Sequence, residues 1–546
     1  MNIRRVIFLI FLFASNTVIF CQQKYPKQKA DILKYIIDIQ VNDDNNKIKV
    51  IENIHVQFST RIDTFFLDLT NINGGTTGMN VSRVLEQGNP VLFFHKNNRL
   101  GILVIPPPKN IPFFDFQIEY EGIPSDGLII GKNKFNERTF FGDNWPQRAH
   151  HWFACVDHPS DKANVRFKVT APSHYQVIAN GKHIESIPDV NNLTITKHIF
   201  ETIKPIPTKV MVIGIANFEI ERSKYDKNLE TSTWIYPKDK TNGKKDFILK
   251  DSILNFYERN IGLFPFEKLA HVQSTTMYGG MENSSCIFYD ENAIKGEGKI
   301  NELIAHEVVH QWFGNSASEK EWSDLWLSEG FATYLTNLYI EENLGKKAFL
   351  EQLIKDRKRV IAFAQKTLPP LKDSLTQNVQ DLLNPNAYQK GSWILHMIRE
   401  QIGKEQFWKV IQNYYKTYQY SNATSKDFFN VLEKTTEKDF GQFYKDWVTQ
   451  PGHPILISKI KEETITDTIT NITKYQYAID VKQQQKILFH FPLEIELFFE
   501  DNTKEIQLLY VNNSIITQNL LYSKKIKQIK LDPQCKLLFD EGKPPK

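Results

Sequence analysis

Two histidines four residues apart, His306 and His310, with Glu307, Val308 and Val309 between them, constrain this chain more than any other feature. Four residues is just over one helical turn, so on a helix both imidazoles lie on one face and converge. The spacing predicts a helix from Ile300 to Phe313, with Gln311, Trp312 and Phe313 continuing it to a C-cap at Gly314. Converging imidazoles call for a metal ion, and a catalytic zinc site takes three protein ligands and leaves a fourth position open. Glu329, nineteen residues after His310, is the candidate third ligand. It falls on a second predicted helix, from Trp322 to Leu344, with Gly345 as its C-cap. There Leu327, Phe331, Leu335 and Leu338 form one face, and Glu329 lies on the other side near Leu325, Ala332 and Ile340. A helix apolar on nearly all sides is buried. A buried carboxylate needs a partner, and one zinc ion held by His306, His310 and Glu329 supplies it.

Zinc chemistry follows from that set. The ion lowers the pKa of its water toward ~7. Glu307, beside the ligands, takes the proton as general base. The resulting hydroxide attacks a peptide carbonyl that zinc also polarises, and Glu307 returns the proton to the departing amine.

The rest of the chain sets this site in a larger frame. At roughly 150 residues per domain, 546 residues suggest three or four domains. The 41% apolar and 24% charged residues are ordinary globular composition, and a net charge of +4 leaves no nucleic-acid footprint. Residues 32–222 read as mainly strand: Ile37, Ile39 and Val41 alternate with polar residues, a turn cluster follows at Asn42 to Asn46, and Ile54, Val56 and Phe58 alternate again. From about 245 helical spacing takes over, at Asp246 to Tyr257, Gly391 to Ile402 and Ser425 to Trp447 besides the two helices above. After Pro451-Gly452-His453-Pro454 strands return, as in Leu493, Ile495 and Leu497 alternating with Glu494 and Glu496.

The N-terminus reads as an export signal. Arg4 and Arg5 precede an apolar run from Val6 to Phe20, short of the ~20 residues a spanning helix needs. No later segment is apolar enough to cross a membrane. The expected location is therefore periplasmic or secreted. Cys155, Cys286 and Cys535 remain after cleavage near Cys21, too few and too scattered for a disulfide framework, and they read as small buried hydrophobes.

A second motif bears on the substrate. Gly279-Gly280-Met281-Glu282-Asn283 follows a strand-like stretch from Leu269 to Thr276. Two glycines let another backbone approach closely, so a peptide can add along this edge, with Glu282 presenting a carboxylate at the groove's end to a free α-ammonium.

With these motifs the chain resembles the aminopeptidase N-like zinc peptidases, a gluzincin family that also contains the leukotriene hydrolase. The resemblance rests on Gly279 to Asn283, on His306, Glu307, His310 and Glu329 with their spacing, on Trp326-Leu327-Ser328-Glu329-Gly330-Phe331-Ala332, and on Tyr388-Gln389-Lys390-Gly391. It implies that Glu282 binds the substrate's amino terminus and that Tyr388 donates a hydrogen bond to the tetrahedral oxyanion, as a neutral phenol can. It also implies a multidomain α+β fold: after the export signal at 1–21, an N-terminal β saddle domain at 22–224, a thermolysin-like, mainly helical catalytic domain at 225–450, and a C-terminal β-sandwich at 451–546. Two departures stand out. Many members carry a large helical C-terminal domain, whereas this sequence ends at Lys546. Where the family's N-terminal domain lends a Gln or Glu to the amine site, this chain has Asp143-Asn144-Trp145, so that Asp143 is a candidate for the role and Trp145 for filling the subsite instead.

The expected function is a zinc-dependent aminopeptidase acting on peptides with a free N-terminus. The alternative is a thermolysin-type zinc endopeptidase, which shares the zinc chemistry but needs no carboxylate at a blind groove end. Neither the oligomeric state nor the preferred first residue is legible.

Overall fold

The structure, a computed structural model, describes residues 30–104, 113–225, 229–466 and 473–543. The N-terminal stretch read as an export signal lies outside the described residues.

The chain passes from a β-rich N-terminal part through a largely helical middle to a β-rich end. The first part is built on a nine-stranded sheet. Ala30–Gln40 pairs antiparallel with Ile48–Phe58 on one side and parallel with Lys162–Pro172 on the other. Strict alternation of apolar and polar residues makes these strands two-faced: in Ile48–Phe58 every second side chain is buried. A four-stranded and a three-stranded sheet complete this part and share its apolar core.

A five-stranded sheet opens the central part, in the order Glu219–Lys224, Glu230–Ile235, Lys268–Ser274, Cys286–Asp290, Gly280–Met281. Its first strand precedes residue 225, so this sheet begins a few residues before the division expected from the sequence. Lys268–Ser274 is buried at every position and has parallel neighbours on both sides, as strands covered on both faces are. Gly280–Met281 pairs with Cys286–Asp290 only and forms the sheet's edge.

Helices pack beside this sheet. Asn301–Val309 carries the histidine pair, and Trp326–Ala364 carries Glu329. The latter breaks at Gly345, which has φ 83°, and resumes beyond it, so the expected C-cap is present but a second helix follows directly. Asp246 to Tyr257, expected as one helix, is split into Lys240–Asp246 and Lys250–Asn260. Ser425 to Trp447 ends its first helix at Thr436, where Glu437 turns left-handed at φ 56°. Gly391–Ile402 is helical over the expected span.

The last part holds a four-stranded and a three-stranded sheet. Their buried residues, such as Ile479 and Leu493, join one apolar core with the helical part. Cys155, Cys286 and Cys535 are free and buried, as expected.

Candidate active site

The histidine helix stops earlier than its sequence suggests. It is regular to Val309, with His310 as its C-cap. Gln311 and Trp312 then bond three residues back, to the carbonyls of Val308 and Val309, which tightens the chain into a turn. Gly314, at φ 116°, reverses direction, and its N–H donates to Ala317 O at 2.8 Å. The expectation that residues 311–313 continue the helix is thereby corrected. The cause is local: the His310 Nδ1–H donates to the Phe313 carbonyl at 3.0 Å, which requires that carbonyl to face back toward the ring. Ser328 Oγ lies 3.1 Å from the same nitrogen. A Cβ at Gly314 would stand 2.9 Å from His310 Nδ1, so only glycine closes this turn.

That hydrogen bond keeps the proton on Nδ1 and turns the Nε2 lone pair inward. The His306 and His310 Nε2 atoms are 3.2 Å apart. Glu329 Oε2 lies 3.5 Å from the first and 3.4 Å from the second. Tetrahedral ligands at zinc–N and zinc–O distances of about 2.0–2.2 Å stand about 3.3 Å apart, so the triangle has the size zinc requires. His310 and Glu329 are buried and His306 is half-buried. The donor set of two imidazoles and one carboxylate, each contributing one inward atom, fits the metal that its sequence spacing called for.

The charges agree. Burial opposes protonation of His310, but the carboxylates of Glu329 and Glu282 outweigh it and push its pKa up to about 9. Burial raises the Glu329 carboxyl, and His310 and His306 outweigh this and hold it below its ordinary range. Burial, with Glu282 and Glu329 adding to it against His310, raises Glu307 well above the usual carboxylate range. Three acids crowding two imidazoles make a pocket that favours a cation.

Glu307 faces the edge strand. A Cβ on Gly280 would overlap its carboxylate, with Cδ only 2.6 Å away, so the second glycine of the motif is what lets strand and base approach. Tyr388 precedes the helix Gly391–Ile402. It lies in a π-helical turn, Asn386–Lys390, that leads into that helix. Its ring is 6.2 Å from that of His306 and nearly parallel to it. Burial, followed by the surrounding carboxylates of Glu329, Glu282 and Glu307, raises the pKa of its hydroxyl and keeps it a phenol. Glu282 is buried at the end of Gly280–Met281, and its Oε1 has no hydrogen-bond partner among the described residues. The structure thus brings together Gly280, Glu282, Glu307, Tyr388 and the three metal-ligand candidates. Gly279 is exposed beside them, and Met281 turns inward against Phe288 in the paired strand.

Asp143 is not free to receive an amine. Its Oδ1 accepts from Arg148 at 2.6 Å, and its Oδ2 accepts from Thr276 Oγ1 at 3.0 Å and the Met277 N–H at 3.2 Å. It fixes the loop before Gly279. Trp145 is buried edge-on to Trp322, with ring centroids 5.6 Å apart. The sequence missed the role of Ser328. A serine in an otherwise apolar stretch one residue before Glu329 was the available signal.

Comparison with known proteins agrees with this geometry. The Peptidase M1 N-terminal domain matches residues 31–210, and the Peptidase family M1 domain matches residues 248–447. Together they cover more than half of the sequence, and the chain belongs to peptidase family M1. A probable aminopeptidase 2 of Sulfurisphaera tokodaii is 28% identical over 71% of this chain and 51% of its own length. A leucyl aminopeptidase of Saccharolobus solfataricus is 25% identical over 81% of this chain and 60% of its own. A human glutamyl aminopeptidase is 26% identical over 62% of this chain and 36% of its own. The chain thus spans about half the length of the curated relatives it matches.

Proposed function

We propose that this protein is a zinc-dependent aminopeptidase that hydrolyses the first peptide bond of peptides with a free N-terminus. The observation that carries the reading is a buried Glu282 oxygen, unpartnered among the described residues, at the end of an edge strand and beside a metal-sized donor triangle. A buried acceptor left unpaired is costly, and a ligand ammonium removes that cost.

His306, His310 and Glu329 would hold one zinc ion. When bound, zinc supplies a Lewis acid that acidifies water and polarises a carbonyl. The chain's own groups do the rest. The peptide adds to the outer edge of Gly280–Met281, where the missing side chain at Gly280 lets Glu307 stand close to the strand. Glu282 takes the α-ammonium and so sets which carbonyl faces the base. Glu307 accepts the proton of the attacking water and delivers it to the departing amine. Tyr388 donates its hydroxyl hydrogen to the oxyanion.

The finer architecture belongs to the same reading: a saddle-shaped N-terminal β domain, a thermolysin-like catalytic domain and a C-terminal β-sandwich. The run of apolar residues after Arg4 and Arg5 supports export to the periplasm or beyond. Amino-acid p-nitroanilides test the function: hydrolysis that a chelator abolishes and added zinc restores is expected, and chelator-insensitive turnover would refute it.

A further inference from the structure

Glu282 stands in a turn, between the short strand Gly280–Met281 and the strand Cys286–Asp290. With one carboxylate oxygen unpartnered among the described residues, the aim of its side chain is set largely by its backbone. Two side chains grip that backbone, and both come from the turn that ends the histidine helix. Gln311 Nε2 donates to the Glu282 carbonyl at 2.9 Å, and Gln311 Oε1 accepts from the Ser285 N–H at 2.9 Å. Asn315 Nδ2 donates to the same Glu282 carbonyl at 2.6 Å. Gln311 and Asn315 are both fully buried. Gln311 directly follows His310, and the Asn315 N–H donates to the His310 carbonyl at 3.1 Å. The amide of one side chain therefore spans the turn from Glu282 to Ser285, the second holds the Glu282 carbonyl as well, and both are fixed to a metal-ligand candidate.

We propose that Gln311 and Asn315 are positioning residues that set the distance between the metal ligands and the ammonium-binding carboxylate. The proposal rests on the reading of Glu282 given above. Its chemical logic is short range. In an N-terminal residue only one Cα separates the ammonium from the carbonyl to be cleaved, so Glu282 and the metal ligands must keep a fixed spacing. Errors of about 1 Å in such placement cost on the order of 10²-fold. Histidine ligands and recognition carboxylate sit on different elements, a helix end and a sheet edge, and these buried amides tie one to the other.

The test separates positioning from general support. Inhibition is measured with an amino-acid hydroxamate and with the same hydroxamate lacking its amine, and zinc is measured on the same preparations. The ratio of the two affinities reads the amine contribution alone. Gln311→Ala should lower that ratio at least about tenfold, with zinc content and affinity for the amine-free hydroxamate nearly unchanged. Gln311→Glu keeps the size and the acceptor for Ser285 while losing the donor to Glu282. It should lower the ratio likewise and carries the test if the alanine variant does not fold. An unchanged ratio in zinc-bearing variants, or equal loss for both hydroxamates, would overturn the proposal. A wild-type protein that does not distinguish the two hydroxamates would instead refute the role of Glu282 itself.

Discussion

Gly330 and Gly391 meet backbone to backbone: a Cβ on Gly330 would lie 2.8 Å from the Gly391 Cα, and one on Gly391 would lie 2.9 Å from the Gly330 Cα. Gly330 follows Glu329 on the second helix, and Gly391 starts the helix that Tyr388 leads into. The contact lets the metal-ligand candidate and Tyr388, the proposed oxyanion donor, share one small site.

Gly391 has ordinary helical angles, φ −55° and ψ −45°, so alanine there would gain about 1 kcal/mol in an isolated helix. In this protein Gly391→Ala should do the opposite. The added methyl separates the two helices, with an overpacking cost of ~1–3 kcal/mol. Tyr388 should shift with its helix and kcat should fall by ~10². Thermal unfolding and steady-state kinetics check this, and a variant as stable and active as wild type would show that the contact is not needed.

Tyr388→Phe should lower kcat by ~10²–10³ with a smaller change in KM, because the bond to the oxyanion forms mainly in the transition state. A loss confined to KM would assign Tyr388 to substrate binding instead.

Glu307→Gln should keep zinc and lose nearly all turnover, since the amide preserves shape but cannot accept the proton. Metal analysis alongside kinetics decides it: full activity would remove Glu307 from the base's role.

Phe331 packs on Phe313 at 4.9 Å and on Phe428 at 5.2 Å, pinning the Glu329 helix against the turn after His310. Phe331→Ala should cost ~3–5 kcal/mol, read by denaturant unfolding. A loss below ~1 kcal/mol would mean that other contacts hold the helix.

Glu52 is fully buried in the N-terminal part, where its Oε2 accepts from Tyr120 at 2.7 Å and from the Ala154 N–H at 2.9 Å. Burial pushes its pKa up to about 8, against an ordinary value of 4.5. Between those values the folded state holds a proton that the unfolded state has lost. Its contribution is therefore complete below pH 4.5, declines as pH rises toward 8, and is gone above that. The slope is at most ~1.4 kcal/mol per pH unit. Glu52→Gln should flatten this part of the stability profile in unfolding measured from pH 5 to 9, and a parallel profile would contradict the assignment.

The metal-ligand candidates were legible because the reasons for them are local: four-residue spacing brings His306 and His310 together on any helix. Glu329 needed one further inference, from a carboxylate on an apolar helix. The strand alternation around Ile37 and Ile54 marked a two-faced sheet for the same reason. What the sequence hid depends on contacts that form only once the chain has folded. The helix end at Val309 follows from the His310 bond to the Phe313 carbonyl, which only the folded turn shows. Asp143 looked available for an amine because its pairing with Thr276 and Met277, 133 and 134 residues away, is invisible in one dimension. The grip of Gln311 and Asn315 on the Glu282 carbonyl likewise exists only in the folded chain.

The central claim is that Glu282 makes this site act on free N-termini, and one peptide tests it directly. It is offered with and without an N-acetyl group, and the products are followed by mass spectrometry. Acetylation removes the charge, adds bulk at the groove's end and leaves Glu282 without its partner, so kcat/KM should fall at least ~10²-fold. Stepwise loss of single residues from the free peptide alone is the predicted result. Internal cleavage of the acetylated peptide at a similar rate would contradict it.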